Sequence, residues 1–553
     1  MPNSALRLIC AASLALLAAC AAPHKAPPPS TEIDDAVFRN DVRLLASDDF
    51  GGRKPGTAGE EKTIGFLTDR FRKLGLKTAP ALGDSYLQPV PLVEIAASGD
   101  AALAITGRSG VQRLRYGKDM VAWSPKPLPA AGLHGSEIVF AGFGIVAPEY
   151  RWDDYAGADV HGKTVLVLAG DPGSASKDAG LFKGKAMSLY GRWESKVEEA
   201  ARHGAAGVLL IHDASLQGYD WSAVVNRFAG AQLELASDEG GGIDVEGWLT
   251  NAAGRALMAQ AGLDYAALAA AACRPGFKTT GLGLKLDVDI KSTVRRFNSA
   301  NVLGFVAGSG RKHEFVLYSA HWDGLGHDPA GAVLDGAVDD ASGVAGLLAL
   351  AQSFSRMRPP PDRSMAFIAF TATEAGLLGS RYYVEHPVLA LEQTAAVINL
   401  DSLHIGGRTR DVMLFGAGNS ELEDMARGAA LLQGRVTIVD PHPERGLYYA
   451  SDQLSFALQG VPALYVKGGI DDAALGPQWG QSQLDEYMAH RYRQSGDKYS
   501  EDWNVRGTVE DLELYRAVGE RIANTHRFPR WYPTSEFSAS HVRVPASEPG
   551  APR

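Results

Sequence analysis

Between residues 315 and 466 the chain sets short apolar runs against longer stretches that mix apolar and polar positions. The runs 315–319, 365–370, 395–400, 412–415 and 463–466 are almost continuously apolar and of strand length. Between the first two, Val344, Leu347, Leu348, Ala351 and Phe354 recur at helical spacing, which predicts a helix from about Ser342 whose stripe packs into the core. Strands apolar on both faces and separated by helices predict a mixed, mostly parallel sheet flanked by helices, an α/β fold. Upstream, residues 33–74 read as two amphipathic helices around a break at Gly51-Gly52. A β-rich stretch lies between. It holds the apolar segments 138–140 and 165–168, a helix over about 193–203, and the strand 208–211 after Gly204-Ala205-Ala206-Gly207. It reads as an inserted domain over 131–291. The Ser-, Pro- and Ala-rich tail, 534–553, reads as loose.

A chain of 553 residues exceeds one ordinary core, so more than one domain is expected. A formal net charge of -10 argues against a nucleic-acid partner, which needs a basic surface to displace counterions. The first twenty residues depart from this ordinary composition. Arg7 precedes an uncharged apolar run over 8–19, too short to span a bilayer but suited to a signal-peptide core. Leu17-Ala18-Ala19-Cys20 resembles a bacterial lipobox, which implies a signal peptide over 1–19 and lipid on Cys20. A proline-rich tether over 20–30 would follow. The resulting expectation is a lipid-anchored protein of the bacterial cell envelope, on the periplasmic face of the outer membrane. Of three cysteines, Cys10, Cys20 and Cys273, only the last would be left without such a fate, so no disulfide is expected.

Four metal-capable side chains fall just after the predicted strands or at a helix entrance: His321, Asp339, Glu374 and Asp401. In open α/β sheets ligands gather at the carboxyl ends of strands. Singly, each has a plain reading as a helix cap, a solvated charge or a satisfied buried histidine. Together they form a mixed nitrogen and oxygen donor set of the kind zinc accepts. Asp323, two residues beyond His321, is placed to orient its imidazole.

Several motifs extend the pattern. They include Asp48-Asp49-Phe50-Gly51-Gly52-Arg53-Lys54-Pro55-Gly56-Thr57, Gly336-Ala337-Val338-Asp339-Asp340-Ala341-Ser342-Gly343 and Gly376-Leu377-Leu378-Gly379-Ser380. With these motifs the chain resembles the co-catalytic dizinc exopeptidases, the family of leucyl aminopeptidase and glutamate carboxypeptidase, from residue 44 to about 518. The middle stretch, with Phe140-Ala141-Gly142-Phe143-Gly144-Ile145, is similar to a protease-associated domain. The resemblance assigns 31–130 and 292–533 to a zinc-peptidase-like domain. It implies that Asp339 bridges two zinc ions, with His321 and Asp401 on one and Glu374 and a late histidine on the other. Peptides or proteins are the implied substrates or ligands.

The sequence departs from that family at three points. Thr373 stands where the resemblance implies a glutamate general base, and threonine takes no proton at neutral pH. Arg493, in Tyr492-Arg493-Gln494-Ser495-Gly496-Asp497, stands in the late histidine's place and has no lone pair for a metal. It could instead pair with Glu374, or contact a substrate carboxylate or oxyanion. Gln453 replaces a common histidine, and His490 could substitute for Arg493 if the loop shifted. One zinc rather than two is therefore expected. Three functions stay open: a peptidase with an altered site and Glu374 as base, a non-catalytic peptide or protein binder, and a structural envelope lipoprotein.

Overall fold

The computed structural model describes residues 32–98, 101–236 and 242–538. The signal-peptide, tether and Cys20 expectations lie outside them. Among the described residues no helix is long and apolar enough to cross a membrane.

The strand Thr280–Val306, 27 residues long, organises the molecule. Its carboxyl-terminal part pairs with Ser364–Phe370 and with Leu87–Ala97, both antiparallel. From Ser364–Phe370 the sheet runs through Phe315–His321, Thr394–Asn399 and Ala463–Gly468, each pair parallel. It then turns antiparallel to Asp411–Leu414, which pairs in parallel with Val436–Val439. The parallel centre is apolar on both faces because helices cover both. Ser364–Phe370 and Phe315–His321 are buried along their whole length. The helix Gly343–Arg356 buries Val344, Leu347, Leu348, Ala351 and Phe354 in a core shared with Asp35–Leu45 and Ala58–Leu74.

The amino-terminal part of Thr280–Val306 belongs to a second sheet built with Ala130–Phe140, Thr164–Leu168, Gly207–Ile211, Val245–Leu249 and Met120–Trp123. This sheet has its own apolar cores on its two faces. Two earlier strands, Leu103–Gly107 and Gly110–Leu114, also attach to it, so its material begins before residue 131. Gln232–Leu235 leaves this region to pair with Leu87–Ala97, tying the two sheets together.

The tail departs from its expected looseness over residues 534–538. Phe537 is buried against Tyr448 and Trp531, and Glu536 accepts from Tyr449 and pairs with Lys183. One aromatic side chain with an apolar seat outweighs a polar composition. Residues 539–553 lie outside the described residues.

Candidate metal centre

His321 ends the strand Phe315–His321, Asp401 follows Thr394–Asn399, and Asp339 lies in the turn Ala337–Ser342 that leads into the helix Gly343–Arg356. Their ligand atoms come within 4.8 Å of one another. The turn is held open rather than helical, with Asp339 at φ -110° and ψ 87°. Gly336 enters it at φ 55°, and a Cβ there would stand 2.3 Å from the Asp339 carbonyl oxygen, so only glycine fits. The Asp497 carboxylate receives the N–H groups of Val338 and Asp339 at 3.0 to 3.2 Å. Asp340, fully buried, accepts from the backbone N–H groups of His321, Gly343 and Ser402, and so ties together the three segments that carry the candidate ligands.

Behind this clasp lies Arg53. Its guanidinium is wholly buried and donates to the carbonyls of Leu45, Trp322, Asp335 and Gly336 at 2.6 to 3.0 Å. The early glycine-rich motif thus delivers an arginine that braces the strand end and the metal-site turn from the back.

The donor set fits zinc. His321 Nδ1 is 3.1 Å from the Asp323 carbonyl, which can only accept, so Nδ1 carries a proton. Nε2 points at Asp339 Oδ1, 3.3 Å away, and is the nitrogen left for a metal. Burial opposes a charge on His321. Hydrogen bonding to Asp323 and Asp339 and the charge of Asp340 outweigh it and hold the imidazole well above its ordinary value. The cluster draws positive charge, as a cation site must. Asp401 is fixed through Ser402 Oγ and Ser451 Oγ, which both donate to its carboxylate.

Glu374, the fourth candidate, is not among the residues whose ligand atoms come together within 4.8 Å. Its Oε2 lies 2.7 Å from Arg493 Nη2, and the two side chains are 8% and 10% exposed. Burial works against the guanidinium's charge, but Glu374, Tyr492 and Asp339 hold Arg493 well above its ordinary range. Arg493 has φ 58° and follows the helix Pro477–His490. His490 is exposed at that helix's end, so Arg493 and not His490 meets Glu374. The β-rich region buttresses the pair from the other side. Asn226 Nδ2 donates to the Arg493 carbonyl at 2.8 Å, and Arg227 Nε to the Glu374 carbonyl at 3.0 Å.

Asp323 serves two segments. Its backbone carbonyl accepts from His321 Nδ1 at 3.1 Å, with its carboxylate 3.6 Å from the same nitrogen. The carboxylate also receives the backbone N–H groups of Thr373 and Glu374 at 2.9 and 3.2 Å, and so orients both sheet-end segments. Thr373 Oγ1 donates to Asp452, with oxygens at 2.8 and 3.0 Å. Gln453 donates through Nε2 to the Tyr448 carbonyl and faces no metal ligand.

His321, Asp339, Thr373, Glu374, Asp401 and Arg493 line one cavity. A second shares Thr373, Tyr492 and Arg493 with it and is lined also by Trp193, Tyr219, Phe228 and Trp248 of the β-rich region. Of the residues that shape the site, sequence reading missed Asp340, Asp452, Asp497 and Arg227. Asp340 carried a signal as the second acid of the Asp339-Asp340 pair, and Asp497 as the last residue of the segment from Tyr492.

A histidine and two aspartates at the carboxyl ends of a parallel sheet centre form a candidate metal site. Residues 301–516 match the family described as Peptidase family M28. It is 33% identical over 135 residues to the aminopeptidase NAALADL1 of Rattus norvegicus, covering 23% of this chain and 17% of that protein. It is 32% identical over 143 residues to a probable zinc metalloprotease of Pyrenophora teres f. teres (strain 0-1), covering 26% and 27%. The matches therefore span less than a third of these relatives' lengths. The fold is that of the aminopeptidase from Aneurinibacillus sp. strain AM-1, at a TM-score of 0.52 and 20% identity over 90% of this chain and 96% of that one.

Proposed function

We propose that this chain is a zinc-dependent, aminopeptidase-like peptide hydrolase with a single-ion site at His321, Asp339 and Asp401. Its turnover is slow beside that of an intact two-zinc enzyme. The observation that carries this reading is the buried Glu374–Arg493 pair, which sets a fixed guanidinium against the carboxylate expected to hold a second ion. Zinc bound at the three ligands would supply Lewis-acid polarisation of a scissile carbonyl and acidification of a water. Thr373 at the base position has no carboxylate of its own to take a proton directly, a role worth typically ~10²–10⁴-fold, which supports slower turnover. Arg493 is available to meet a substrate carboxylate or oxyanion. In this reading the region 131–291 is a protease-associated domain that walls the substrate cavity. Lipid on Cys20 anchors the protein in the cell envelope.

A second reading, a peptide or protein binder without turnover, is favoured by the same Thr373 and by the engagement of Glu374 with Arg493. A panel of aminoacyl anilides and dipeptides separates the two. Slow, zinc-dependent release abolished by Asp339→Ala is the expected result. Zinc-loaded protein that binds peptides and cleaves none would leave only the binder.

A further inference from the structure

Thr373 and Asp452 make a contact that no part of the single-zinc reading uses. Asp452 is fully buried behind Thr373, and both its oxygens lie within 3.0 Å of Thr373 Oγ1. Thr373 in turn lines the cavity that holds His321, Asp339 and Asp401. A hydroxyl has one proton and two acceptor positions, so donating to Asp452 leaves Oγ1 able to accept from the cavity side. The neighbouring carboxylates are committed elsewhere. Glu374 faces Arg493, Asp323 receives two backbone N–H groups, and Asp340 receives three.

We propose that Thr373 and Asp452 form a proton relay that takes the place of a single carboxylate base. A cavity water hands a proton to Thr373 Oγ1 while the proton already on Oγ1 passes to Asp452. The water oxygen bonds to the scissile carbonyl carbon, and the carbonyl π pair moves onto its oxygen. When the C–N bond breaks, its electron pair stays on nitrogen, and the proton returns from Asp452 through Oγ1 to the leaving amine. Nothing is oxidised or reduced, and the relay ends as it began.

Burial raises Asp452 to about 7, countered by the charge of His321 and by hydrogen bonds from Ser380 and Thr373, with Asp323 adding to the rise. That value suits a group that must take and return a proton near neutrality. Thr373 is the catalytic residue of this pair. Asp452 acts only through it.

The relay rests on the hydrolase reading, and the test separates them. Thr373→Ser, which keeps the hydroxyl, should stay within about threefold of the parent. Thr373→Val and Asp452→Asn should each lower kcat by about 100-fold or more, with KM and bound zinc unchanged. The double variant should lose no more than either single one, because the two act as a unit. In zinc-free protein, an infrared carboxylic-acid band titrating near neutral pH should vanish in Asp452→Asn. Parent activity with an undiminished Thr373→Val overturns the relay alone, as do losses that multiply or a missing band. An inert parent overturns the relay and the hydrolase reading together.

Discussion

Replacing Arg493 with methionine removes the guanidinium and keeps most of its apolar stem. The backbone bond from Asn226 to the residue 493 carbonyl is untouched by the change. What is lost is a charge contact of 2.7 Å between side chains 10% and 8% exposed. At an effective dielectric of about 20, two unit charges about 4 Å apart attract by ~4 kcal/mol. Removing one partner of such a buried pair costs ~3–5 kcal/mol, because the other is left uncompensated. Arg493→Met should therefore lower the unfolding free energy by about 3–4 kcal/mol, and Glu374→Gln by a similar amount. The double variant leaves neither charge stranded and should cost about 2–3 kcal/mol less than the sum of the singles. Urea unfolding of the four proteins in chelator, followed by circular dichroism, measures this cycle without a metal contribution. Additivity within about 0.5 kcal/mol would show that the pair is an incidental contact and not a fixed element of the site.

Three further outcomes follow from the geometry. Arg53→Met removes this donor from the carbonyls of Leu45, Trp322 and Asp335 and leaves that of Gly336 with the Ala341 N–H. At ~1–3 kcal/mol for each buried unsatisfied group it should cost about 3 kcal/mol or more in thermal or denaturant unfolding. Asp154 is raised by burial from 3.8 to about 6, so its contribution is fully present below pH ~4 and is lost as pH rises through about 6. The difference between the two values corresponds to ~3 kcal/mol, and Asp154→Asn should remove that part of the pH dependence in unfolding titrations between pH 4 and 7. Asp339→Asn should weaken zinc binding by at least about 100-fold in competition titrations with a chromogenic chelator, while Glu374→Gln leaves it nearly unchanged.

Much of this was legible in the sequence because it rests on periodicity. The strand 315–319 extends only to His321, and the stripe from Val344 to Phe354 is buried as its spacing requires. His321, Asp339 and Asp401 could be singled out because strand ends are where a parallel sheet exposes chemistry. The rest depends on contacts far apart in the chain, which no local pattern encodes. Asp452 meets Thr373 across 79 positions, and Asp497 meets Asp339 across 158. The meeting of Arg493 with Glu374 was foreseeable from the loss of a metal-binding side chain. The role of Arg227 was not, because it comes from the β-rich region, whose placement over the site is a tertiary fact. Asp323 shows what spacing leaves out. Two residues from His321 it meets the ring, and its carboxylate also holds the N–H groups of Thr373 and Glu374, 50 and 51 positions away.

In the single-zinc reading a guanidinium stands where a second ion would be held. Zinc content per chain, measured by elemental analysis after saturation and removal of free metal, tests it most directly when the parent is set beside Arg493→His. One zinc is expected in the parent and a second in the histidine variant, where Glu374 is released to bind it. Two tightly held zinc ions in the parent would contradict it.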